Sequence, residues 1–484
     1  MLIHADGLGP VIDLVHDERW DRDRLIAEIA ARTALLGSLG VGPGARVVLA
    51  QDGRPGFFAD LFAVWQRGAC AVCINPALSA EEIGNVVQFV DPLLCLANDG
   101  FTATTDIGVR VLNAGEAKPA GGTGDDAVQD TGLDDPALIL FTSGTTGVPK
   151  GVVHTFRSIL ARVALNRTHI GDATLARTLC VLPVHFGHGL IGNCLTPLFA
   201  GAALYLSPGI NVQAAARLGA AIDDQAITFL SSVPTLWKLV LKTSKPPKGE
   251  SLRQISIGSA PLSAELWNAV VQWSGLRNVV NMYGITETAN WLGGASAAAH
   301  APADGLIGRM WGGAMAVRDE SGTLHAEGQG EILVQSPSLM QGYYRRPELT
   351  REVLDQGWYA TGDIGAIDAD GVARLSGRQK DEINRAGIKI HPADIDLLLE
   401  RHEQVAEACT FGIPDAISGE IVGVAVAAVD GVALRPEDLR TWCLERVRRE
   451  AAPEKWFLVD QIPKTDRGKV NRAKVRDHCL KQPA

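Results

Sequence analysis

A glycine- and hydroxyl-rich loop, TSGTTGVPKG at residues 142–151, is the segment of the sequence best suited to chemistry. Its glycines allow a compact turn whose backbone N–H groups can point at one anion, and its hydroxyl groups and Lys150 supply further donors. The spacing differs from the triphosphate-binding pattern G-x-x-x-x-G-K-S/T, because Lys150 follows a proline and precedes Gly151. An ordinary polar loop after a buried strand is the alternative interpretation, but the complete pattern favours a polyphosphate-binding loop.

Five further motifs follow this loop along the chain. They are GSAPLS at 258–263, NMYGITET at 281–288, GWYATGDIG at 357–365, GRQKDEINRAGIKIHPADID at 377–396 and PKTDRGKVNR at 463–472. Together with the loop, and in this order, they resemble the signatures of the adenylate-forming superfamily, which contains acyl-CoA synthetases, carrier-protein adenylation domains and firefly-type luciferases. The resemblance covers nearly the whole chain. It implies that a carboxylate attacks the α-phosphorus of ATP and expels pyrophosphate, so that an acyl-AMP forms.

The resemblance assigns an ATP site to residues of these motifs. One set is expected to hold the β- and γ-phosphates: Thr142, Ser143, Gly144, Thr145, Thr146, Gly147 and Lys150. A second set is expected to surround the AMP portion: Ser259, Ala260, Pro261, Asn281, Met282, Tyr283, Gly284, Thr286, Asp363 and Arg378. Such a site has to supply cations and donors that are preorganised around the charge that develops during the reaction.

Individual roles also follow from the resemblance. Tyr283 would stack on adenine, and Thr286 would bond the α-phosphate. Glu287 matches the family's Mg²⁺ ligand, because a carboxylate is the hard oxygen donor that this ion prefers. Asp363 would accept hydrogen bonds from both ribose hydroxyls, with help from Arg378. Each residue alone would more often be structural, but their joint placement in matched motifs favours function.

The C-terminal motifs complete the implied mechanism. Lys469 falls on the family's catalytic lysine, whose compact charge on a flexible stem suits bridging the α-phosphate and the attacking carboxylate. Lys380 matches the hinge about which a small C-terminal domain turns between an adenylating and a thioester-forming orientation. Gly387 matches the loop that lines the coenzyme A tunnel, where Ala386 replaces the first of two glycines found in many relatives. A surface lysine is the alternative interpretation for Lys380.

Coenzyme A is the acceptor that the sequence favours. The chain stops soon after Lys469 and contains no fused carrier domain with an Asp-Ser-Leu attachment site. A stand-alone enzyme that loads a carrier protein in trans is the alternative. A non-catalytic nucleotide-binding relative is disfavoured, because Lys469, Glu287 and Asp363 are all present.

The acid is expected to be an aryl or a small-to-medium functionalised acyl group. Amino-acid-activating relatives carry an aspartate after an aromatic residue in the segment that follows the phosphate loop. The corresponding segment of this chain, LPVHFGHGLIGN at 182–193, contains no acidic residue. Phe186 is the candidate gate beside the carboxylate. The candidate pocket residues are His185, His188, Gly258 and Trp291, together with Asn281 and Met282. Buried histidines that are only structural are common, so a role in the core is the alternative for these residues.

Composition excludes several other classes of protein. The net charge of −10 argues against a nucleic-acid binder, whose surface would be basic. The N-terminus shows no signal-peptide pattern, and no apolar stretch is long enough to cross a bilayer. Eight scattered cysteines, including a Cys70–Cys73 pair expected in a buried strand, fit a reducing cytoplasm. The sequence leaves the oligomeric state open.

The elements that must position these motifs alternate between helix and strand, which predicts an α/β fold. We predict helices over 22–39, 56–68 and 436–451, and strands over 45–50, 69–74, 328–336, 358–368 and 422–429. The resemblance implies two domains. The first, 1–379, has β-sheets sandwiched by helices and a small β-barrel-like portion; the second, 380–484, is a small mobile α+β domain.

Overall fold

In the computed structural model, several helices begin at polar residues whose side chains cap the first turn. Asp21 caps the helix Arg22–Ser38 by accepting a hydrogen bond from the Arg24 backbone N–H. Ser79 and Glu82 form a reciprocal capping box at the start of Ala80–Val90. The structure describes residues 5–98, 109–113, 131–142, 150–207, 209, 211–385, 388–415, 418–464 and 470–481.

The helices are, in chain order, α1 (Arg22–Ser38), α2 (Pro55–Gln66), α3 (Ala80–Val90), α4 (Phe156–Ile170), α5 (Asp172–Leu175), α6 (Thr196–Phe199), α7 (Val212–Asp224), α8 (Pro234–Thr243), α9 (Ala264–Ser274), α10 (Pro347–Val353), α11 (Pro392–Leu399), α12 (Pro436–Leu444) and α13 (Arg472–Lys481). Short 3₁₀ turns cover Ala5–Gly7, Thr286–Thr288 and Gln379–Asp381, and a π-helical segment covers His188–Leu195.

The strands are β1 (Val11–Asp13), β2 (Glu18–Trp20), β3 (Arg46–Ala50), β4 (Cys70–Cys73), β5 (Leu94–Ala97), β6 (Arg110–Asn113), β7 (Pro136–Thr142), β8 (Lys150–Thr155), β9 (Arg177–Cys180), β10 (Ala203–Leu206), β11 (Phe229–Ser232), β12 (Gln254–Ile257), β13 (Val279–Ile285), β14 (Asn290–Ser296), β15 (Leu306–Met310), β16 (Ala314–Arg318), β17 (Leu324–His325), β18 (Gly328–Gln335), β19 (Gly342–Tyr343), β20 (Leu354–Asp355), β21 (Trp358–Ile367), β22 (Ala373–Arg378), β23 (Ile383–Arg385), β24 (Ile388–Ile390), β25 (Val405–Asp415), β26 (Gly419–Ala428) and β27 (Lys455–Val459).

The chain divides into two units. The first comprises Met1–Pro302, Arg309–Ala314 and Gln335–Tyr359, and the second comprises Ala303–Gly308, Met315–Val334 and Ala360–Ala484. The predicted division at residue 379, with its hinge at Lys380, concerns a movement and stays a prediction.

Two sheets organise the first unit. In one, the strand order is β14-β13-β12-β11-β9-β10-β1-β2, with parallel pairing from β13 to β1. In the other, the order is β19-β8-β7-β4-β3-β5-β6, with parallel pairing from β7 to β6. The central strands β3, β4 and β5 are apolar apart from Arg46 at the start of β3, as is typical of parallel strands covered on both faces.

The second unit contains the strand order β17-β16-β18-β21-β22 and a five-stranded sheet with the order β24-β23-β26-β25, in which β27 pairs with β26. Two apolar clusters stabilise this five-stranded sheet. One contains Leu399 and Leu439 from α11 and α12, and the other contains Val475 and Cys479 from α13.

The predicted α/β class, with a large N-terminal sheet region and a smaller C-terminal domain, is confirmed. The predicted helix over 436–451 is wrong at its C-terminal end, because α12 stops at Leu444. The chain then turns so that Ala451 enters the apolar cluster of α11 and α12. Among the helices that the structure describes, none combines the length and the apolar character needed to span a membrane.

Candidate active site

The ends of the predicted phosphate loop are held next to each other. Thr142 and Lys150 are antiparallel partners across β7 and β8. The intervening predicted residues lie outside the described part of the chain: Ser143, Gly144, Thr145, Thr146 and Gly147. The ammonium of Lys150 lies 3.8 Å from the centre of the Tyr343 ring, a cation–π distance.

Glu287, the predicted metal ligand, is joined to Lys150 through the same tyrosine. The Tyr343 hydroxyl donates to Glu287 Oε1 at 2.8 Å, and its oxygen lies 3.2 Å from the hydroxyl oxygen of Tyr359. Burial, together with the charge of Glu287, raises the pKa of Tyr359, so this phenol stays protonated. The structure therefore brings Lys150 and Glu287 to one side chain, Lys150 to its ring and Glu287 to its hydroxyl.

Thr286 and Glu287 lie in a 3₁₀ turn that a buried histidine fixes to β8. His154 is fully buried, and its Nε2 lies 2.8 Å from the Thr286 carbonyl oxygen. Because a carbonyl only accepts, Nε2 carries the proton of the neutral ring. Burial lowers the pKa of His154 to about 4. A neutral imidazole therefore holds the Thr286 backbone.

This depressed pKa predicts a loss of stability in mild acid. The unfolded chain binds a proton at His154 near its ordinary pKa of about 6.5, whereas the folded chain does so only near pH 4. The stabilisation is therefore complete above the unfolded pKa and is lost as the pH falls towards 4, by about 2 kcal/mol between pH 7 and pH 5. Urea unfolding of the wild type and His154→Gln at both pH values measures the difference. Equal losses in both proteins would contradict the assignment.

The GSAPLS motif is held by a histidine with two hydroxyl partners. His188 Nδ1 lies 2.7 Å from Ser259 Oγ, and His188 Nε2 lies 2.8 Å from Ser231 Oγ. Ser259 has a φ of +69°, a conformation that the bond to His188 helps to maintain. A Cβ on Gly258 would lie 3.0 Å from the Met282 carbonyl oxygen, so glycine permits this close approach. The predicted residues His188, Gly258, Ser259 and Met282 are thus brought together.

Aromatic side chains surround this group. The Trp291 and His188 rings lie 5.5 Å apart, and the Trp291 and Phe229 rings lie 6.2 Å apart. Phe186, the predicted gate, packs edge-on against His185, with ring centres 4.0 Å apart. Ala260 is partly exposed and Pro261 is exposed.

The predicted AMP-binding strand is β13. Asn281, Met282 and Tyr283 are all buried in it, and a bulge falls between Tyr283 and Gly284. A Cβ on Gly284 would lie 2.2 Å from the Asn290 carbonyl oxygen, so this position requires glycine. The positions are fixed by the strand, and stacking of Tyr283 on adenine stays a prediction.

Within the second unit, Asp363 and Arg378 are paired across β21 and β22. Asp363 is buried, and its Oδ1 lies 2.7 Å from Arg378 Nε. Lys380 is exposed in the following 3₁₀ turn. The predicted Lys469 and Gly387 lie outside the described residues.

The sequence next to Lys469 is anchored on both sides. Lys464 and Val470 form an antiparallel bridge, and Lys464 makes an ion pair with Glu407. Arg472 Nη1 lies 2.5 Å from Asp396 Oδ2. The flanks of the PKTDRGKVNR motif are therefore fixed to the five-stranded sheet and its helices.

Comparison with known proteins supports the resemblance. The family model described as AMP-binding enzyme matches residues 22–344, and the model of its C-terminal domain matches residues 394–469. The chain belongs to the AMP-binding enzyme family. The oxalate–CoA ligase of Arabidopsis thaliana is 30% identical to this family member over 480 residues, which cover 95% of this chain and 93% of that protein. A feruloyl-CoA synthase of Amycolatopsis is 30% identical and covers 93% of each chain.

Solved structures of similar fold match nearly the whole length of this AMP-binding enzyme. The crystal structure of ATP-bound MatB from Rhodopseudomonas palustris has a TM-score of 0.87 at 24% identity, covering 98% of this chain and 99% of that one. The o-succinylbenzoate CoA synthetase MenE of Bacillus subtilis has a TM-score of 0.86 at 23% identity, covering 100% of this chain and 96% of that one. At these identities the likeness establishes the fold.

Sequence reasoning missed three side chains that contact predicted site residues. His154, Ser231 and Tyr343 reach Thr286, His188 and Glu287 respectively. Only His154 has a signal in the sequence, because it follows the predicted phosphate loop by a few residues. Ser231 and Tyr343 lie in segments without a recognised pattern.

Proposed function

We propose that this chain is an AMP-forming acid–thiol ligase that activates a carboxylic acid with ATP and transfers the acyl group to coenzyme A. The observation that supports it most is the Lys150–Tyr343–Glu287 arrangement, in which a cation at the start of β8 and a carboxylate both contact one tyrosine. Relatives of 30% identity over almost the whole chain are named CoA ligases or CoA synthases, which supports the same reaction class.

The chemistry proceeds in two steps. A carboxylate oxygen of the acid attacks the α-phosphorus of ATP, and the bond to the bridging oxygen breaks to release pyrophosphate. The thiol of coenzyme A then attacks the acyl carbon, loses its proton and expels AMP. In the first step, Lys469 would stabilise the charge on the α-phosphate and Thr286 would bond the same group. Tyr283 would hold the adenine, and Asp363 with Arg378 would hold the ribose.

Glu287 fits a magnesium ion that arrives with ATP. Its carboxylate is partly exposed, and the described residues contain no group of three or more acidic, histidine or cysteine side chains that could cage a metal. Mg²⁺ is typically bound by one or two carboxylates and the substrate phosphates, so a single carboxylate suffices. When bound, the ion would neutralise charge on the phosphate oxygens.

The acid is proposed to be aryl or small to medium in size, with a polar or ring substituent. His188, Trp291 and Phe186 would supply aromatic walls, and Gly258 would let the backbone of this wall pack closely against Met282. Buried polar atoms with no hydrogen-bond partner in the described structure lie on the adjoining elements: Asn193 Oδ1, Asn290 Nδ2 and Trp291 Nε1. Polar groups of the acid would provide partners for those of these atoms that border the proposed pocket.

Coenzyme A is the proposed acceptor, because the similar relatives are named for coenzyme A and give no support to a carrier protein.

Two further proposals concern the hinge and the cellular compartment. We place the pivot of the C-terminal domain, 380–484, at the exposed Lys380. All eight cysteines are buried free thiols, which suits a reducing cytoplasm.

Acid-dependent pyrophosphate release tests the first half-reaction. The purified protein is incubated with ATP and Mg²⁺ and a panel of aryl, medium-chain and hydroxylated acids. Release above the acid-free rate with at least one acid is expected. Release that never depends on an acid would contradict the proposal.

A further inference from the structure

Tyr343 lies where three parts of the first unit meet. Its strand β19 pairs with β8, which begins at Lys150, so that Tyr343 lies opposite Val152. Just before it, the backbone N–H of Met340 donates to the Glu287 carbonyl oxygen at 2.8 Å. The backbone therefore fixes Tyr343 between the end of the phosphate loop and the turn that carries Glu287.

The side chain of Tyr343 uses both its ring and its hydroxyl. The ring faces the Lys150 ammonium at 3.8 Å, and the hydroxyl donates to Glu287 Oε1 at 2.8 Å. Since a phenol has one proton and that of Tyr343 goes to Glu287, the Tyr343 oxygen can only accept in its 3.2 Å contact with the Tyr359 hydroxyl. The Tyr359 hydroxyl also interacts with Glu287, so the two phenols and the carboxylate form one hydrogen-bonded cluster.

A purely structural role would need only the ring. Tyr343 is 4% exposed, so a phenylalanine would fill the same space against its neighbours. The hydroxyl, however, is directed at a carboxylate that is partly exposed, and a hydrogen bond to a charged acceptor is stronger than one between neutral groups. The hydrogen bond fixes Oε1 and therefore restricts the orientation of the whole Glu287 carboxylate.

We propose that Tyr343 is a positioning residue for magnesium-bound ATP. The Tyr343 hydroxyl orients the Glu287 carboxylate towards the metal, and the Tyr343 ring orients the Lys150 ammonium towards the phosphates. This inference rests on the proposed function. The hydroxyl affects metal binding through Glu287, and the ring affects nucleotide binding through Lys150.

Binding measurements with Mn²⁺ and a non-cleavable α,β-methylene ATP test this separation without turnover. Mn²⁺ binding is followed by electron paramagnetic resonance in the presence of the analogue, and analogue binding alone is followed by calorimetry with a chelator. Tyr343→Phe is expected to raise the Kd for Mn²⁺ about tenfold, because an outer-shell partner of the metal ligand is lost. The Kd of the analogue measured with the chelator should stay within about twofold of the wild-type value, because the ring is retained. Tyr343→Leu is expected to raise both constants, because the ring beneath Lys150 is lost as well.

Tyr344→Phe is the matched control. Tyr344 is the next residue, but its hydroxyl donates to the Val90 carbonyl oxygen at 3.0 Å, away from Glu287. Both constants of this control should equal those of the wild type. Unchanged Mn²⁺ binding in Tyr343→Phe, or an equal loss in the control, would overturn the inference alone. A wild type that binds no analogue would overturn the proposed function with it.

Discussion

Replacing Lys469 with alanine is expected to reduce acyl-AMP formation by about two to three orders of magnitude, while ATP binding remains within about threefold of the wild type. The magnitude is that of removing one preorganised donor from a developing oxyanion. Lys469 is expected to contact the α-phosphate and the attacking carboxylate together, a pair of contacts that strengthens as the new bond forms. Ground-state binding of ATP depends mainly on the other motifs.

Single-turnover formation of acyl-AMP measures the loss at Lys469, and calorimetry with the non-cleavable analogue measures nucleotide binding. Lys474→Ala provides a control, because Lys474 is an exposed lysine in the adjoining helix α13. Acyl-AMP formation at the wild-type rate in Lys469→Ala would remove this residue from the mechanism.

Arg472→Met is expected to lower the free energy of unfolding by about 3 kcal/mol or more. Arg472 Nη1 lies 2.5 Å from Asp396 Oδ2 and also donates to the Thr410 carbonyl oxygen at 2.9 Å. Burial raises the pKa of Asp396, and the charge of Arg472 opposes that rise. Without the guanidinium, the largely buried Asp396 carboxylate would keep the hydrogen bond from the Thr410 backbone N–H but would lose its opposite charge.

Chemical denaturation followed by tryptophan fluorescence measures the effect of Arg472→Met. Adding Asp396→Asn should recover part of the loss, because it removes the unpaired charge. Arg476→Met, which replaces an exposed arginine of the same helix paired with Asp477, should change stability by about 0.5 kcal/mol or less. A loss for Arg472→Met no larger than for Arg476→Met would show that the buried pair contributes little.

Elements with a regular local pattern could be predicted from the sequence. The helix predicted over 22–39 is α1, and the strands predicted over 328–336 and 358–368 are β18 and β21 to within one residue at their ends. Local capping and apolar patterns determine such elements. The helix over 436–451 was too long, because its end depends on where Ala451 packs.

The candidate site divides in the same way. Motif residues such as Lys150, Glu287 and Asp363 could be recognised from local sequence. Tyr343 and His154 could not, because their roles depend on contacts with Glu287 and Thr286, which are distant in the chain and are brought near only by strand pairing. Such contacts follow from tertiary packing, which no local pattern specifies.

The most direct test of the account is the formation of acyl-CoA. The wild-type protein is incubated with ATP, Mg²⁺, coenzyme A and the acid panel, and products are identified by mass spectrometry, with omission of each substrate as a control. We predict an acyl-CoA whose formation requires the acid, ATP and coenzyme A, together with an equal amount of AMP. Acyl-AMP that accumulates with no thioester, although coenzyme A is present, would contradict it.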